Sequence, residues 1–364
     1  MTHPYSNLPT SAFWRTGVSD VSPLELENIY VPRFAIDRNT AIASAGSCFA
    51  QHIGRQFRER GYRYLDLEPA PPLLNPDRHE AFGFGLYSAR YGNLYSMRQL
   101  LQLFRRAYGE FTPRESEWLC DDGRAFDPFR PSIEPGGFSS REELRRDTDY
   151  HLSMVRRLLP QTELFVFAFG LTESWVCTAD GAVLPTCPGT VAGEFDANRH
   201  HFHNFRYEEV IDDARQFIAL ARRHNPAIRF LFTVSPVPLT ATASGKHVLP
   251  STVYSKSVLR AVCGALYEEY EEVDYFPSYE LVTSHPMRGM FFHPNLRGVS
   301  KVGVQHVMKT FFEAHGETGS MPAVPETRPE AKVEEVKQRR LQRRARKQGR
   351  DAACDEEILE NFAK

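Results

Sequence analysis

The chain has no apolar run approaching the roughly 18 to 20 residues that a membrane-spanning helix needs. Its opening residues, Met1-Thr-His-Pro-Tyr-Ser-Asn7, lack the basic segment and apolar core of a secretion signal. A soluble, unexported protein without a membrane span is therefore expected. Cysteine is sparse and scattered: the six residues, at positions 48, 120, 177, 187, 263 and 354, form no CxxC pair. Neither a zinc site nor a disulfide framework is expected in a chain of this size, and a reducing cytoplasm fits. Net charge is nearly absent at -2, which removes any overall pull toward nucleic acid or an anionic membrane. A Walker sequence and a GxGxxG turn after a strand are missing too, so no cofactor is implied.

What is present is an alternation of short apolar runs with amphipathic stretches over most of the 364 residues. The apolar runs are Ala41–Ala45, Arg63–Leu67, Leu164–Phe169, Arg229–Val234 and Val273–Phe276. Helical periodicity falls near Phe49–Arg60, Met97–Tyr108, Arg141–Leu159, Tyr207–His224, Val253–Glu271 and Lys301–His315. Five strands with intervening helices predict an α/β fold: a flavodoxin-like, doubly wound, mostly parallel five-stranded sheet covered on both faces. The Pro-, Gly- and aromatic-rich segments Glu68–Tyr95 and Phe111–Gly137 read as long loops shaping a cleft. Residues 1–35 are expected as an N-terminal extension, 36–316 as the α/β domain, and 317–364 as a linker with a charged, helical or disordered tail. The tail holds the basic run Lys337–Lys347 and the acidic Asp355–Phe362. Such a basic run is more often a solvated helix face than an RNA site, so nucleic-acid contact would be confined to it.

Ligands of open parallel sheets bind outside the carboxyl ends of the strands. Polar punctuation falls at that edge four times: Gly46-Ser47, Gly170-Leu-Thr-Glu173, Ser235-Pro-Val-Pro238 and Pro277-Ser-Tyr-Glu280. Ser47 stands where a strand gives way to the helix-like Gln51–Arg60, a position that holds a hydroxyl stiffly and polarises it with the helix N-terminus. It is the leading candidate nucleophile.

The run Gly46-Ser47-Cys48-Phe49-Ala50 spells the signature of the GSCFA family, and the chain from about Ala41 to Lys309 resembles that family, which is itself similar to the SGNH hydrolases. The resemblance implies a three-layer α/β/α enzyme acting as a serine esterase or O-acyltransferase. Its substrate would be a small-molecule or glycan ester, such as an O-acylated carbohydrate or surface-polysaccharide precursor. Ser47 matches the first SGNH motif, Gly92 of Tyr91-Gly-Asn-Leu-Tyr95 the second, Gly170-Leu-Thr-Glu173 the third, and His293 of Phe291-Phe-His-Pro294 the base. The N–H groups of Ser47 and Gly92 would receive the oxyanion, with Gly46, Asn93, Gly170, Thr172 and Glu173 around them and Thr172 in the third donor position. Two departures stand out: Met290 replaces the aspartate expected three residues before His293, and Thr172-Glu173 replaces Asn-Asp. Glu280 is a candidate orienting acid, and Lys256 a candidate contact for a substrate anion.

Each residue also has a plainer reading. Ser47 can cap the helix, His293 can be a packing residue with His285 and His247 as competitors, and Glu173 can brace the Ser47 loop. Cys48 is an alternative nucleophile. Arg199-His-His-Phe-His203 reads as a loop; its histidines are too close in sequence to converge easily on a metal, and none is expected. The competing function is a non-catalytic glycan- or protein-binding module on the same fold. The oligomeric state is left open.

Overall fold

The computed structural model describes residues 3–317 and 355–363. After short helical turns at Thr10–Ala12 and Arg15–Ser19 come β1 (Ile42–Gly46), α1 (Cys48–Glu59) and α2 (Met97–Ala107), then a small hairpin of β2 (Trp118–Leu119) and β3 (Ala125–Phe126). After α3 (Arg141–Gln161) come β4 (Leu164–Phe169), β5 (Glu173–Cys177), β6 (Val183–Leu184), β7 (His200–Asn204) and α4 (Tyr207–His224). The described domain closes with β8 (Arg229–Val234), α5 (Val248–Glu269), β9 (Val273–Tyr275), α6 (Ser278–Thr283) and α7 (Lys301–Ala314).

The central sheet is parallel, four-stranded and ordered β1-β4-β8-β9. Alternation along each strand divides its side chains between two cores. Phe165, Phe167, Phe169, Phe230 and Phe232 enter one core with Leu101, Phe104, Leu158, Phe217 and Val262 of α2 to α5. Ile42, Leu164, Val166 and Leu231 enter the other with Phe49, Ile53, Phe57, Val307 and Phe311 of α1 and α7. Helices therefore cover both faces, which satisfies a sheet that reads as continuous apolar runs. Residues near the N-terminus join this packing: Tyr30 and Ile36 are buried, and the Arg33 guanidinium donates to the carbonyls of Tyr267 and Tyr270 at 2.6 and 2.7 Å.

Two expectations need correction. The fifth strand, Arg63–Leu67, is reduced to one bridge, Ile42 with Tyr64. Beyond Leu65 the backbone leaves β1, and the Leu67 N–H bonds Ser88 O instead, carrying Glu68 into the interior. The segment Arg199–His203, expected as a loop, instead supplies β7 of an antiparallel sheet β6-β5-β7. Among the described residues no helix is long and apolar enough to cross a membrane. The five described cysteines are free thiols. Cys354 and the basic run Lys337–Lys347 lie outside the described residues.

Candidate functional site

Ser47 occupies the single position between β1 and α1. The turn needs glycine before it: Gly46 has φ of 143°, and a Cβ there would meet Ala168 O at 2.8 Å and Ala50 Cβ at 2.9 Å. Ser47 itself is extended and 4 % exposed. A capping serine turns its hydroxyl back onto the first helical turn, and here that bond is absent. Among the described residues neither the Ser47 hydroxyl nor its N–H has a hydrogen-bond partner. The hydroxyl faces Gly170, where a Cβ would come within 3.4 Å of Oγ and 2.8 Å of Tyr95 O.

The loop before α2 is tied to the carboxyl ends of β1 and β4. Leu94 N–H donates to Gly46 O at 2.9 Å, and Tyr95 O accepts from the N–H groups of Gly170 and Leu171 at 3.1 and 3.0 Å. Gly92 makes the left-handed turn of this loop, and among the described residues its N–H has no partner. Asn93 is fixed from behind: its Oδ1 accepts from the Tyr87 hydroxyl at 2.7 Å and Gln51 Nε2 at 3.2 Å. The amide group that remains, Nδ2, donates to Asp355 Oδ2 at 2.9 Å.

Lys256 and Arg297 bring positive charge to the same place. The buried Lys256 ammonium donates to Gly170 O at 2.5 Å. Burial pulls it down to about 8, against the opposing fields of Glu356 and Cys48 and with the help of Arg297. Arg297 pairs with Glu356 at 3.4 Å and Glu357 at 3.5 Å. The acidic C-terminal stretch, expected within a linker-and-tail region, is a 3₁₀ helix over Asp355–Phe362 set against the Ser47 cleft.

His293 is exposed in a tight loop, its N–H donating to Gly298 O at 2.7 Å, while Arg297 of that loop reaches the cleft. Among the described residues the imidazole has no hydrogen bond, so a Ser47–His293 bond is not in place. Met290 is exposed and offers no acid. Glu280 is committed elsewhere, accepting from Arg260 Nε at 2.5 Å and the Tyr275 hydroxyl at 2.8 Å, so it does not orient His293. His285 stacks on Trp14, and His247 caps α5 through the Leu249 N–H.

Thr172 does not offer a third donor. Its N–H bonds Ser255 Oγ at 2.9 Å and its hydroxyl bonds Asn204 Oδ1 at 2.6 Å. Glu173 accepts from the Thr242 hydroxyl at 2.8 Å rather than bracing the Ser47 loop, and burial raises its carboxyl. Cys48 is buried in the first turn of α1. Among the described residues, one group has the spacing of a metal site: Glu115, Cys177 and His200. Glu115 there already accepts from Trp118 Nε1, Arg199 and His200, so its charge is answered without an ion.

Sequence reasoning missed Gln51, Tyr87 and Arg297, and also a buried network beneath the Gly92 loop. Glu68 there accepts from Arg90 N–H and bonds His151 Nδ1, both at 2.7 Å, while Asp147 pairs with Arg90 and Arg130. No local spacing signals these contacts: the Tyr87–Asn93 bond lies within an irregular loop, and the others join residues remote in the chain.

A profile of the GSCFA family matches residues 41–311, more than half of the chain. The chain belongs to the GSCFA family. No curated protein matched it. Among solved structures it is similar to a protein from Streptococcus pneumonia solved as a candidate platelet activating factor, with 14 % identity and a TM-score of 0.27. That alignment covers 47 % of this chain and 66 % of the other, just under two thirds of its length. It is also similar to a serine-to-alanine mutant of an acetyl esterase solved with an acetate ion, at 9 % identity and TM-score 0.34, covering 76 % of this chain and 98 % of the other. Likeness at these levels is too slight to assign a role to this GSCFA protein.

Proposed function

We propose that this GSCFA protein is an SGNH-like serine esterase or O-acyltransferase acting on O-acyl esters, of carbohydrate or surface polysaccharide, with Ser47 as nucleophile. The observation that supports this reading is the Ser47 hydroxyl at the N-terminus of α1 and the N–H groups of Ser47 and Gly92, none of which has a hydrogen-bond partner among the described residues. The lone bridge of Tyr64 with Ile42, on the side of β1 away from β4, supports a flavodoxin-type order 2-1-3-4-5, in which Ser47 would lie at the switch point.

In the proposed reaction His293 takes the proton of Ser47 Oγ as Oγ bonds the ester carbonyl carbon. The carbonyl oxygen, now negative, is received by the N–H groups of Ser47 and Gly92 and by Asn93 Nδ2 in the place Thr172 cannot fill. Collapse expels the alcohol, which collects the proton from His293. Water then releases the acid in a hydrolase, or a sugar hydroxyl takes the acyl group in a transferase. The His293 loop has to close for the first step, as catalytic hydrogen bonds often do only in the substrate complex.

The His293 ring, exposed and with no acid bonded to it among the described residues, favours a second reading, a non-catalytic glycan- or protein-binding module. Hydrolysis of p-nitrophenyl acetate by wild type, Ser47→Ala and His293→Gln decides between the two. The esterase reading expects each substitution to reduce kcat/KM by about 10³-fold or more. Equal background rates in all three folded proteins would leave the binding module.

A further inference from the structure

The C-terminal 3₁₀ helix meets the cleft through its carboxylates, and every one of its first three side chains is answered there. Asp355 accepts from Asn93 Nδ2 at 2.9 Å, so a carboxylate oxygen sits on the donor that the esterase reading assigns to the oxyanion. Glu356 pairs with Arg297, acts on the buried Lys256 ammonium, and is anchored by its N–H to the Tyr95 hydroxyl at 3.3 Å. Glu357 pairs with Arg297 as well. The receiving groups come from widely separated parts of the fold: the Gly92 loop, α5 and the His293 loop. Arg297 is 8 % exposed and Lys256 2 %. Burying two cations side by side is costly unless an anion completes the set; Lys256 has the Gly170 carbonyl, and the carboxylates of Glu356 and Glu357 supply the negative charge.

We propose that the cleft beside Ser47 contains a carboxylate-binding subsite, built from Arg297 and Lys256, that the chain's own Asp355–Glu357 segment fills while it also covers Asn93 and Tyr95, and that recognises a polycarboxylate glycan ester as substrate. The substrate half of this inference rests on the esterase reading; the subsite does not. Successive carboxylates on the segment match a polyanion such as a polyuronate, whose acid groups also recur at short intervals. Because the segment is tethered, it competes at a high effective concentration and holds the site until a polyanionic substrate displaces it. A neutral ester has no carboxylate with which to compete for these cations, and it enters only in the fraction of molecules whose segment has opened by itself.

The test uses the full chain and needs no turnover. Hydrogen–deuterium exchange is followed by mass spectrometry in wild type, Arg297→Gln and the triple variant Asp355→Asn, Glu356→Gln, Glu357→Gln, with oligogalacturonate or a neutral maltose oligomer as the added probe. The proposal expects peptides of 355–363 to exchange at least threefold faster in either variant than in wild type. Oligogalacturonate, and not the maltose oligomer, should produce the same acceleration in wild type. The triple variant should bind oligogalacturonate at least tenfold more tightly than wild type. Equal exchange of 355–363 in wild type and both variants would overturn the subsite. Release of the segment in both variants with no response to oligogalacturonate would overturn the glycan class. Failure of the esterase reading would show separately, as loss of Ser47 reactivity with these exchange differences intact.

Discussion

Ser47→Ala separates a nucleophile from a helix cap by stability as well as by rate. A serine that caps loses about 1 kcal/mol on becoming alanine. Because the Ser47 hydroxyl bonds nothing on α1, urea unfolding of Ser47→Ala should show a loss below about 0.5 kcal/mol. A loss near the capping value would place the hydroxyl back on the helix. Gly46→Ala should behave in the opposite way. Its backbone is left-handed and a Cβ would press on Ala168 O, so a cost of at least about 2 kcal/mol is expected in the same measurement. This Gly-Ser junction was legible in the sequence because it lies where one periodicity stops and another starts. The second half of the site was not: Tyr87 and Gln51 orient Asn93 across gaps of 6 and 42 residues, and no local pattern records such a contact.

At the scale of elements, the loop that carries Gly92 and Asn93 is expected to matter through its rigidity. Tyr87→Phe removes one of the bonds that turn Asn93 Nδ2 toward the cleft. We expect kcat for ester hydrolysis to fall about tenfold, some 1.4 kcal/mol in barrier, with KM nearly unchanged. Unchanged kcat would mean that Asn93 needs no such support. The long apolar strands were the easiest elements to read. β4, β8 and α4 begin and end where periodicity places them, because each buries a continuous stripe. The sheet of β5 to β7 escaped notice because its strands are short and β7 is mostly histidine, with side chains that bond acids such as Glu115 and Glu209. The Arg63–Leu67 run misled in the other direction: its alternation is real, but the chain turns away from β1 past Leu65 and takes Glu68 to its buried partners.

For the whole molecule, the buried Glu68 network couples the cleft loop to α3 and sets the response to acid. Burial alone would raise the Glu68 carboxyl, but His151, Arg130 and the Arg90 N–H outweigh it and hold it well below its ordinary value near 4.5. Burial, with Arg130 nearby, holds His151 below its ordinary value, while Glu68 at its Nδ1 opposes that shift. A carboxyl lowered in the fold contributes stability that is complete above its unfolded pKa and is lost as pH falls toward its folded one. Urea midpoints should therefore drop between about pH 5 and pH 3 in wild type. Glu68→Gln should start lower at neutral pH and vary less across that window; a parallel decline in both proteins would remove Glu68 as the cause. The central claim, that this fold exists to activate Ser47, is tested most directly by labelling the intact protein and Ser47→Ala with a fluorophosphonate and locating the adduct by peptide mass spectrometry. The account predicts an adduct on Ser47 of wild type, most complete in protein whose Asp355–Glu357 segment has been displaced, and none at this peptide in the variant. Folded wild-type protein that stays unlabelled with the segment displaced, or an adduct on another residue, would contradict it.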